Sequence, residues 1–530
     1  MVSSPPNPLE VYWTLFEVDE RDLEFIYNLL LEQEVPLTIA EMAGALIEQR
    51  LLRLELEAAQ AEPAQVASYL PSETYAAGMR LLFPALAGAT GEVLGVRLGE
   101  NPEVGSFDVM QVSFGDGGER EFAMGLADHV LNRPQEVTPE SHAFHSPHSV
   151  MERFGSAIEA RIAERLRGTH DIVWIAGRWF PKALLAEINV GHLNLAEAVL
   201  DVASGGPLPT EALVEHLEMP LGVDPRLGTF SLDYALQEDG RFDEVGPAGK
   251  VLWFLKRLEP PEVMYPPPRL AAPAVAYDRG MLTKPLLELE RTLDDELSQL
   301  THDGPAPEEV ELSVIFPHWR VGSLPLSSRL QTMFPTAYEA PRIRFILVDG
   351  HSGEKFPGWV VRQERYVYGL DDWYRRYEVP AGGLIRVRQG DEPGEVIVRA
   401  VDRRRRTDWI RTVTPSEAGQ IGFTMLKQPV GTAYDDLMVV GLVDPVALDE
   451  AWLRGSQRNM PLDRMVAYVF RELARLNPQS AVHAQALYSG VNVLRRLPPG
   501  PIFAELVRQP YFVHVGDLYW RFEDSAWGQT

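Results

Sequence analysis

The chain has 530 residues, 45% of them hydrophobic and 24% charged, with 76 acidic against 49 basic side chains and a formal net charge of −27. That length exceeds what one hydrophobic core serves and predicts roughly three to five domains, while no apolar run approaches the roughly 18 residues of a membrane span. The lack of cysteine excludes disulfides, thiol nucleophiles and thiolate zinc sites, and the acidity excludes a protein that coats nucleic acid with its whole surface.

The opening "MVSSPPNPLEVYW" has neither a basic nor an apolar leader pattern, which sets the cytoplasm as the expected compartment. Residues 1–65 read as helix-turn-helix-like, from "DLEFIYNLLLEQ" and "TIAEMAGALIEQRLLRLELEAA", the second opened by Thr38 with Glu41 three residues on, a capping-box spacing. Alternating runs at Gly91–Val96, Phe107–Phe114 and Arg120–Ala123, separated by Gly, Asn-Pro and Asp-Gly-Gly turns, predict a small antiparallel barrel over 70–132. It resembles barrels of the Tudor or KOW type. In "HAFHSPHSV" the residues His142, His145 and His148 fall close together, but Pro147 interrupts helical spacing and no carboxylate completes a shell, so a polar loop without metal or cofactor is expected.

Residues 140–258 predict a helix and then a winged helix. Its helices are "NLAEAVLDVAS", a second with Thr210 as N-cap, and "GTFSLDYALQED", followed by a strand-turn-strand from Phe242 to Trp253. The order returns over 446–530, where Phe512, Val515, Gly516 and Trp520 match Phe242, Val245, Gly246 and Trp253, and Gly246 and Gly516 are expected to supply a positive φ at the turn. Residues 172–257 and 462–523 resemble the winged-helix domain of the RNA polymerase delta subunit and of HARE-like chromatin proteins, which implies a binding module. The third helix of the first copy is acidic and ill suited to phosphate, whereas Arg495, Arg496 and Arg508 suit the second copy to DNA. Between them, 259–280 ("EPPEVMYPPPRLAAP") reads as a semi-rigid proline-rich linker and 281–309 as a helical connector.

The block 310–445 is rich in strands. From Arg320 to Arg411 there are 17 basic against 12 acidic side chains, so positive charge is segregated here. "LPLSSRL", the strand ending "WVVR", the helix "GLDDWY" and the glycine-marked "VPAGGLIRVR" make 322–402 resemble the DNA-binding pseudobarrel of plant auxin-response factors and restriction-endonuclease effector domains. The resemblance implies two groove-entering arms: Ser327, Ser328 and Arg329 in the first, and Arg362, Gln363, Arg365, Tyr366 and Tyr368 in the second. Glu364 departs from that chemistry, and "YVYG" reads equally as an edge strand with buried rings. Arg403, Arg404, Arg405 and Arg406 are candidate phosphate contacts, or a solvated loop balanced by Asp402 and Asp408. "GFTMLKQP" and "DDLMVVGLVD" are either further strands of this barrel or a separate small domain.

No P-loop, HExxH, GxSxG or Rossmann fingerprint is present. The expectation is an α+β multidomain, non-enzymatic DNA-binding protein of the transcription, nucleoid or genome-defence kind, with several winged-helix units, a small barrel and a β-pseudobarrel. Double-stranded DNA is its expected partner at the basic block, and RNA polymerase or another protein at the acidic N-terminal half. The alternatives are an acidic scaffold without DNA contact and the specificity subunit of a nuclease.

Overall fold

The computed structural model describes residues 8–60, 67–83, 86, 89–101, 105–114, 118–127, 129–132, 146–217, 222–302, 304–416, 419–455 and 459–527. The fold is α+β and multidomain. Two compact units are present, residues 1–174 with 178–184, and 175–177 with 185–530.

In the first, a short helix α1 (Pro8–Thr14) precedes α2 (Glu20–Gln33), β1 (Leu37–Thr38) and α3 (Ile39–Gln60). The capping box at Thr38 forms: the Glu41 carboxylate accepts from Thr38 N at 2.7 Å and Thr38 Oγ1 accepts from Glu41 N at 3.2 Å. Strands β2 (Ala67–Ser68), β3 (Arg80–Phe83), β4 (Ala89–Asn101), β5 (Gly105–Phe114) and β6 (Glu119–Met124) then form a five-stranded sheet in sequential order around Tyr69, Phe83, Met110 and Phe114. The chain returns through α4 (Pro147–Arg167), β7 (Ile172–Ile175) and β8 (Arg178–Pro181), with sheet order β1–β8–β7. Ile158 and Ile162 of α4 share one core with Ile26, Leu46 and Trp179. The expected boundary, which put the helix at 140–170 with the segment up to 258, is therefore corrected: that helix and the 172–181 hairpin complete the N-terminal unit, and the five-stranded sheet is an insertion within it. Pro147 is the first residue of α4, with His148 beside it, and His142 and His145 lie outside the described residues.

The second compact unit opens with α5 (Val190–Val202), β9 (Leu208–Pro209), α6 (Thr210–Val214), α7 (Pro225–Glu238), β10 (Phe242–Glu244) and β11 (Leu252–Leu255), in sheet order β9–β11–β10. Thr210 does not cap α6; its hydroxyl donates to the buried Asp233 carboxylate, which also accepts from Trp253 Nε1 at 2.8 Å. The proline-rich stretch is not a spacer but packs down: α8 (Pro261–Met264) buries Val263, and Arg269 donates to Asp449 at 2.6 Å and to the Val493 carbonyl at 3.1 Å. Helix α9 (Lys284–Leu293) follows.

A seven-stranded sheet curled into a half-barrel holds β12 (Glu309–Ser313), β13 (Ser323–Pro325), β14 (Arg342–Asp349), β15 (Lys355–Val361), β16 (Tyr366–Tyr368), β17 (Leu384–Gln389) and β18 (Glu395–Ala400), with α10 (Phe316–Val321) and α11 (Asp371–Arg376) between strands. Its order is β12–β17–β18–β14–β15–β16–β13, antiparallel except at β14–β18. The next strands form a sheet of their own: β19 (Asp402–Pro415) pairs with β20 (Ile421–Thr432) and, near Thr412, with β21 (Gly441–Leu442). "GFTMLKQP" and "DDLMVVGLVD" therefore lie outside the seven-stranded sheet, within the same compact unit. The chain ends with α12 (Pro445–Arg454), α13 (Leu462–Ala474), β22 (Ala481–His483), α14 (Ala484–Leu494), α15 (Pro499–Arg508), β23 (Phe512–Gly516) and β24 (Tyr519–Phe522), in sheet order β22–β24–β23.

One plan thus occurs three times: helix, short strand, helix, helix, hairpin, with the last strand between the other two. The register repeats as well, since Leu37 faces Trp179, Leu208 faces Trp253 and Val482 faces Trp520. Each tryptophan is buried and anchors the hairpin on its helices. Gly516 has the expected positive φ of 124°, but in the other hairpin Gly249 takes that role at 85°, and Gly246 is needed because a side chain there would strike the Lys250 carbonyl.

Candidate nucleic-acid interface

Of the residues expected in two groove-entering arms, the first set is held by the chain's own acidic segment after α9, and the second reaches that segment only through Arg365. Asp294, at a left-handed φ of 46°, accepts from Ser327 Oγ at 2.7 Å, Ser328 Oγ at 2.6 Å, and both the backbone N and Nε of Arg329 at 3.1 Å. From the second arm, Arg365 Nη1 donates to the Glu296 carbonyl at 2.9 Å and Arg362 Nη1 to the Ala340 carbonyl at 2.9 Å. Gln363 is exposed, as is Glu364. β16 is an interior strand: Tyr366 is fully buried with its hydroxyl on the Glu262 carbonyl at 2.5 Å, and Tyr368 is half-buried.

The three C-terminal arginines lie apart. Arg508 is held by Glu505 at 2.7 Å, and Arg495 Nη1 donates to the Met460 carbonyl at 3.1 Å. Arg496 corrects the sequence expectation most sharply, because its side chain is fully enclosed and bonds Asp295 and Glu296 at 2.7 Å each. Burial opposes its charge, but the two carboxylates outweigh that and hold the guanidinium well above its usual range. Burial likewise opposes ionisation of Glu296, yet Arg496 and His318 keep it below the ordinary carboxylate range. α15, the helix expected to read a groove, is buried along Pro499–Leu506 and shares a core with Leu286 and Leu289 of α9. It has no face left for a groove.

The same buried region contains a hydroxyl–imidazole–carboxylate chain. Ser323 Oγ lies 2.8 Å from His318 Nδ1, and His318 Nε2 lies 2.9 Å from Glu296 Oε1. With exposures of 0%, 1% and 5%, these groups meet no solvent through which a substrate would arrive, and they serve to satisfy one another.

The remaining candidates, Arg403–Arg406, come together at the surface. They lie in β19, not in a loop, over the part that pairs only with β20. Asp402 faces Thr432 and Arg406 faces Val430, so Arg403, Arg404 and Arg405 all stand opposite the single residue Gly431. This is a bulge, which twists the strand and re-aims its side chains. Arg403 stacks over Tyr434 at 4.7 Å and lies 3.6 Å from Asp408, Arg406 bonds Asp408 at 2.6 Å, and Arg405 bonds Glu378 at 2.6 Å. Arg404 has no ion pair among the described residues. Three of the four guanidiniums thus share two carboxylates, and over 402–432 there are six basic side chains against three acidic ones in a chain of charge −27. Trp409, 62% exposed, stands beyond them with Lys427 Nζ 5.4 Å from its ring centre.

Trp409, Lys427 and Tyr434 are not singled out by the sequence. The signal that points to Trp409 is strand phase, because Ile410 is buried and so turns its neighbour outward. No family model, no curated protein and no solved structure matches this chain.

Proposed function

We propose that this is a non-enzymatic DNA-binding protein that grips the sugar–phosphate backbone through the bulged arginines of β19, working in transcription, nucleoid organisation or genome defence. The observation that carries this reading is the concentration of Arg403–Arg406 on one exposed bulge with too few carboxylates to neutralise them. Guanidinium forks match phosphate oxygens two at a time, and the acidity elsewhere repels a polyanion and so directs it here. On this reading the three helix–strand units are winged-helix modules and the half-barrel a pseudobarrel, used mainly as a frame, since α15 is buried all round and Ser327–Arg329 are held by Asp294. The test is binding of the full chain to labelled DNA over a salt series, native against Arg403–Arg406 all changed to Ala. Affinity should fall and the log–log salt slope should flatten by about 0.9 for each phosphate no longer neutralised. Equal affinity at low salt would refute it.

A second reading, a protein-binding scaffold, is favoured by one feature of the inserted sheet: Leu94, Val96 and Leu98 of β4 are exposed at 47%, 45% and 75%. An apolar strip of this kind on a strand marks a protein contact. Changing all three to Ser would abolish partner capture on that reading and leave DNA binding unaltered.

A further inference from the structure

Through Tyr434 the arginine bulge adjoins a cavity, and the cavity has the wrong chemistry for a duplex. A groove of about 330 Å³ runs between the β19–β20 ribbon and the C-terminal helix–strand unit, lined among others by Trp409, Tyr434, Leu473, Leu476, His483 and Tyr519. Three aromatic side chains and an imidazole therefore surround a space at the lower end of ligand-pocket sizes, which start at about 300 Å³. Tyr434 belongs to both features: its ring lines the groove, Arg403 stacks on it at 4.7 Å, and its hydroxyl bonds Asp408 at 2.8 Å beside Arg406. A ligand whose anionic group rests on the bulge would thus bring its next few atoms to the groove.

A duplex presents phosphates and base edges but keeps its base faces stacked, so aromatic walls have nothing to bind. An unpaired strand offers a flat ring within reach of each phosphate, and stacking on aromatic side chains is the usual way such bases are held. His483 adds a directional group. Its Nδ1 accepts from Gln485 N at 3.1 Å, so the proton of the neutral ring sits on Nε2, a donor suited to a base carbonyl or ring nitrogen. Burial favours that neutral form by lowering the imidazole's affinity for a second proton.

We infer that the ribbon binds an unpaired nucleotide, with its phosphate on Arg403–Arg406 and its base inserted between Trp409 and Tyr519. This rests on the proposal that the ribbon holds nucleic acid, and it replaces the duplex with a single strand or an exposed base. Single-stranded DNA and RNA share this chemistry.

The test uses the full chain with one labelled mixed-sequence oligodeoxynucleotide, its duplex and the oligoribonucleotide of the same sequence, and 2-aminopurine in each single strand to report stacking. Single strands should bind more tightly than the duplex, with 2-aminopurine quenched. W409A with Y519A should weaken single-strand binding roughly 10- to 100-fold and leave duplex binding unchanged. Both side chains are partly exposed, at 62% and 37%, so their removal spares the fold. Tighter binding of one single strand over the other would identify the sugar. A duplex bound as tightly as single strands, or groove variants without effect, would overturn this inference while leaving the ribbon as a backbone contact. Failure of the native chain to bind any of the three would overturn the proposed function and this inference with it.

Discussion

The N-terminal and C-terminal helix–strand units share a strand order and a tryptophan register, yet they use the third helix in opposite ways. α4 buries one stripe, Val150, Gly155, Ile158, Ile162 and Leu166, and leaves the rest of its circumference polar and largely exposed. α15 is buried on every side from Pro499 to Leu506. A helix with one apolar stripe sits on a core, and a helix apolar all round sits inside one. A shared topology therefore does not carry a shared surface. In the C-terminal unit the face that would meet a groove has been taken by Leu286 and Leu289 of α9, which leaves the β19–β20 ribbon as the outward-facing cationic element.

Ion pairs offer the strongest way to break this comparison. Arg165 of α4 meets Glu20 at 2.5 Å in the open, whereas Arg496, just before α15, is sealed against Asp295 and Glu296. Removing one partner of a buried pair strands the other charges, at a cost of about 3–5 kcal/mol, while an exposed pair contributes about 0–1 kcal/mol. In chemical denaturation R496A should therefore lose several kcal/mol and R165A almost nothing. Equal losses would mean that Arg496 is not enclosed. A weaker contrast uses one substitution in both helices. Ala504 is 5% exposed and Ala160 faces solvent, so A504L should overpack at about 1–3 kcal/mol and A160L should stay within about 0.5 kcal/mol of native. A tolerated A504L would show that the buried helix is only loosely covered.

How much of this was legible follows from the range over which each signal acts. The Thr38–Glu41 cap is a three-residue spacing, and it formed as read. The hairpins at Phe242–Trp253 and Phe512–Trp520 were legible because helix, helix and hairpin follow one another directly. The N-terminal copy was hidden by the sheet inserted between α3 and α4, which puts the partners Leu37 and Trp179 on opposite sides of it. The arginine run announced its charge but not its conformation. Arg495 and Arg496 were indistinguishable as neighbours in the sequence, because what separates them is a carboxylate 200 residues away. Ser327–Arg329 have suitable groove chemistry, and the same donors serve equally well on Asp294. Local chemistry therefore located the donors, and only tertiary placement named their acceptors.

The middle copy supplies the smallest and most specific test, since among the described residues its tryptophan rests on a buried carboxylate and that of the C-terminal copy does not. Trp253 Nε1 donates to Asp233 at 2.8 Å, whereas Trp520 Nε1 is buried with no partner among the described residues. Burial pushes the Asp233 carboxyl up to about 7 against the hydrogen bonds from Thr210 and Trp253, and the charge of Glu211 adds to the rise. Because the folded value lies above the ordinary 3.8, the folded state holds the extra proton between the two. Stability from this group is thus present at low pH and is lost as pH rises toward 7. Between about pH 6 and about pH 8 the loss is about 1 kcal/mol. Glu244, raised by burial to about 7, acts in the same direction. Hydrogen exchange of the α7, β10 and β11 amides should accelerate over that window after correction for intrinsic rates. D233N should flatten the Asp233 share, and the amides around Trp520, which has no such carboxylate and whose neighbouring His483 imidazole is lowered by burial, should not accelerate over that window. If the D233N chain kept the full pH slope, the proton would reside on another group and the carboxylate would be ionised under its tryptophan.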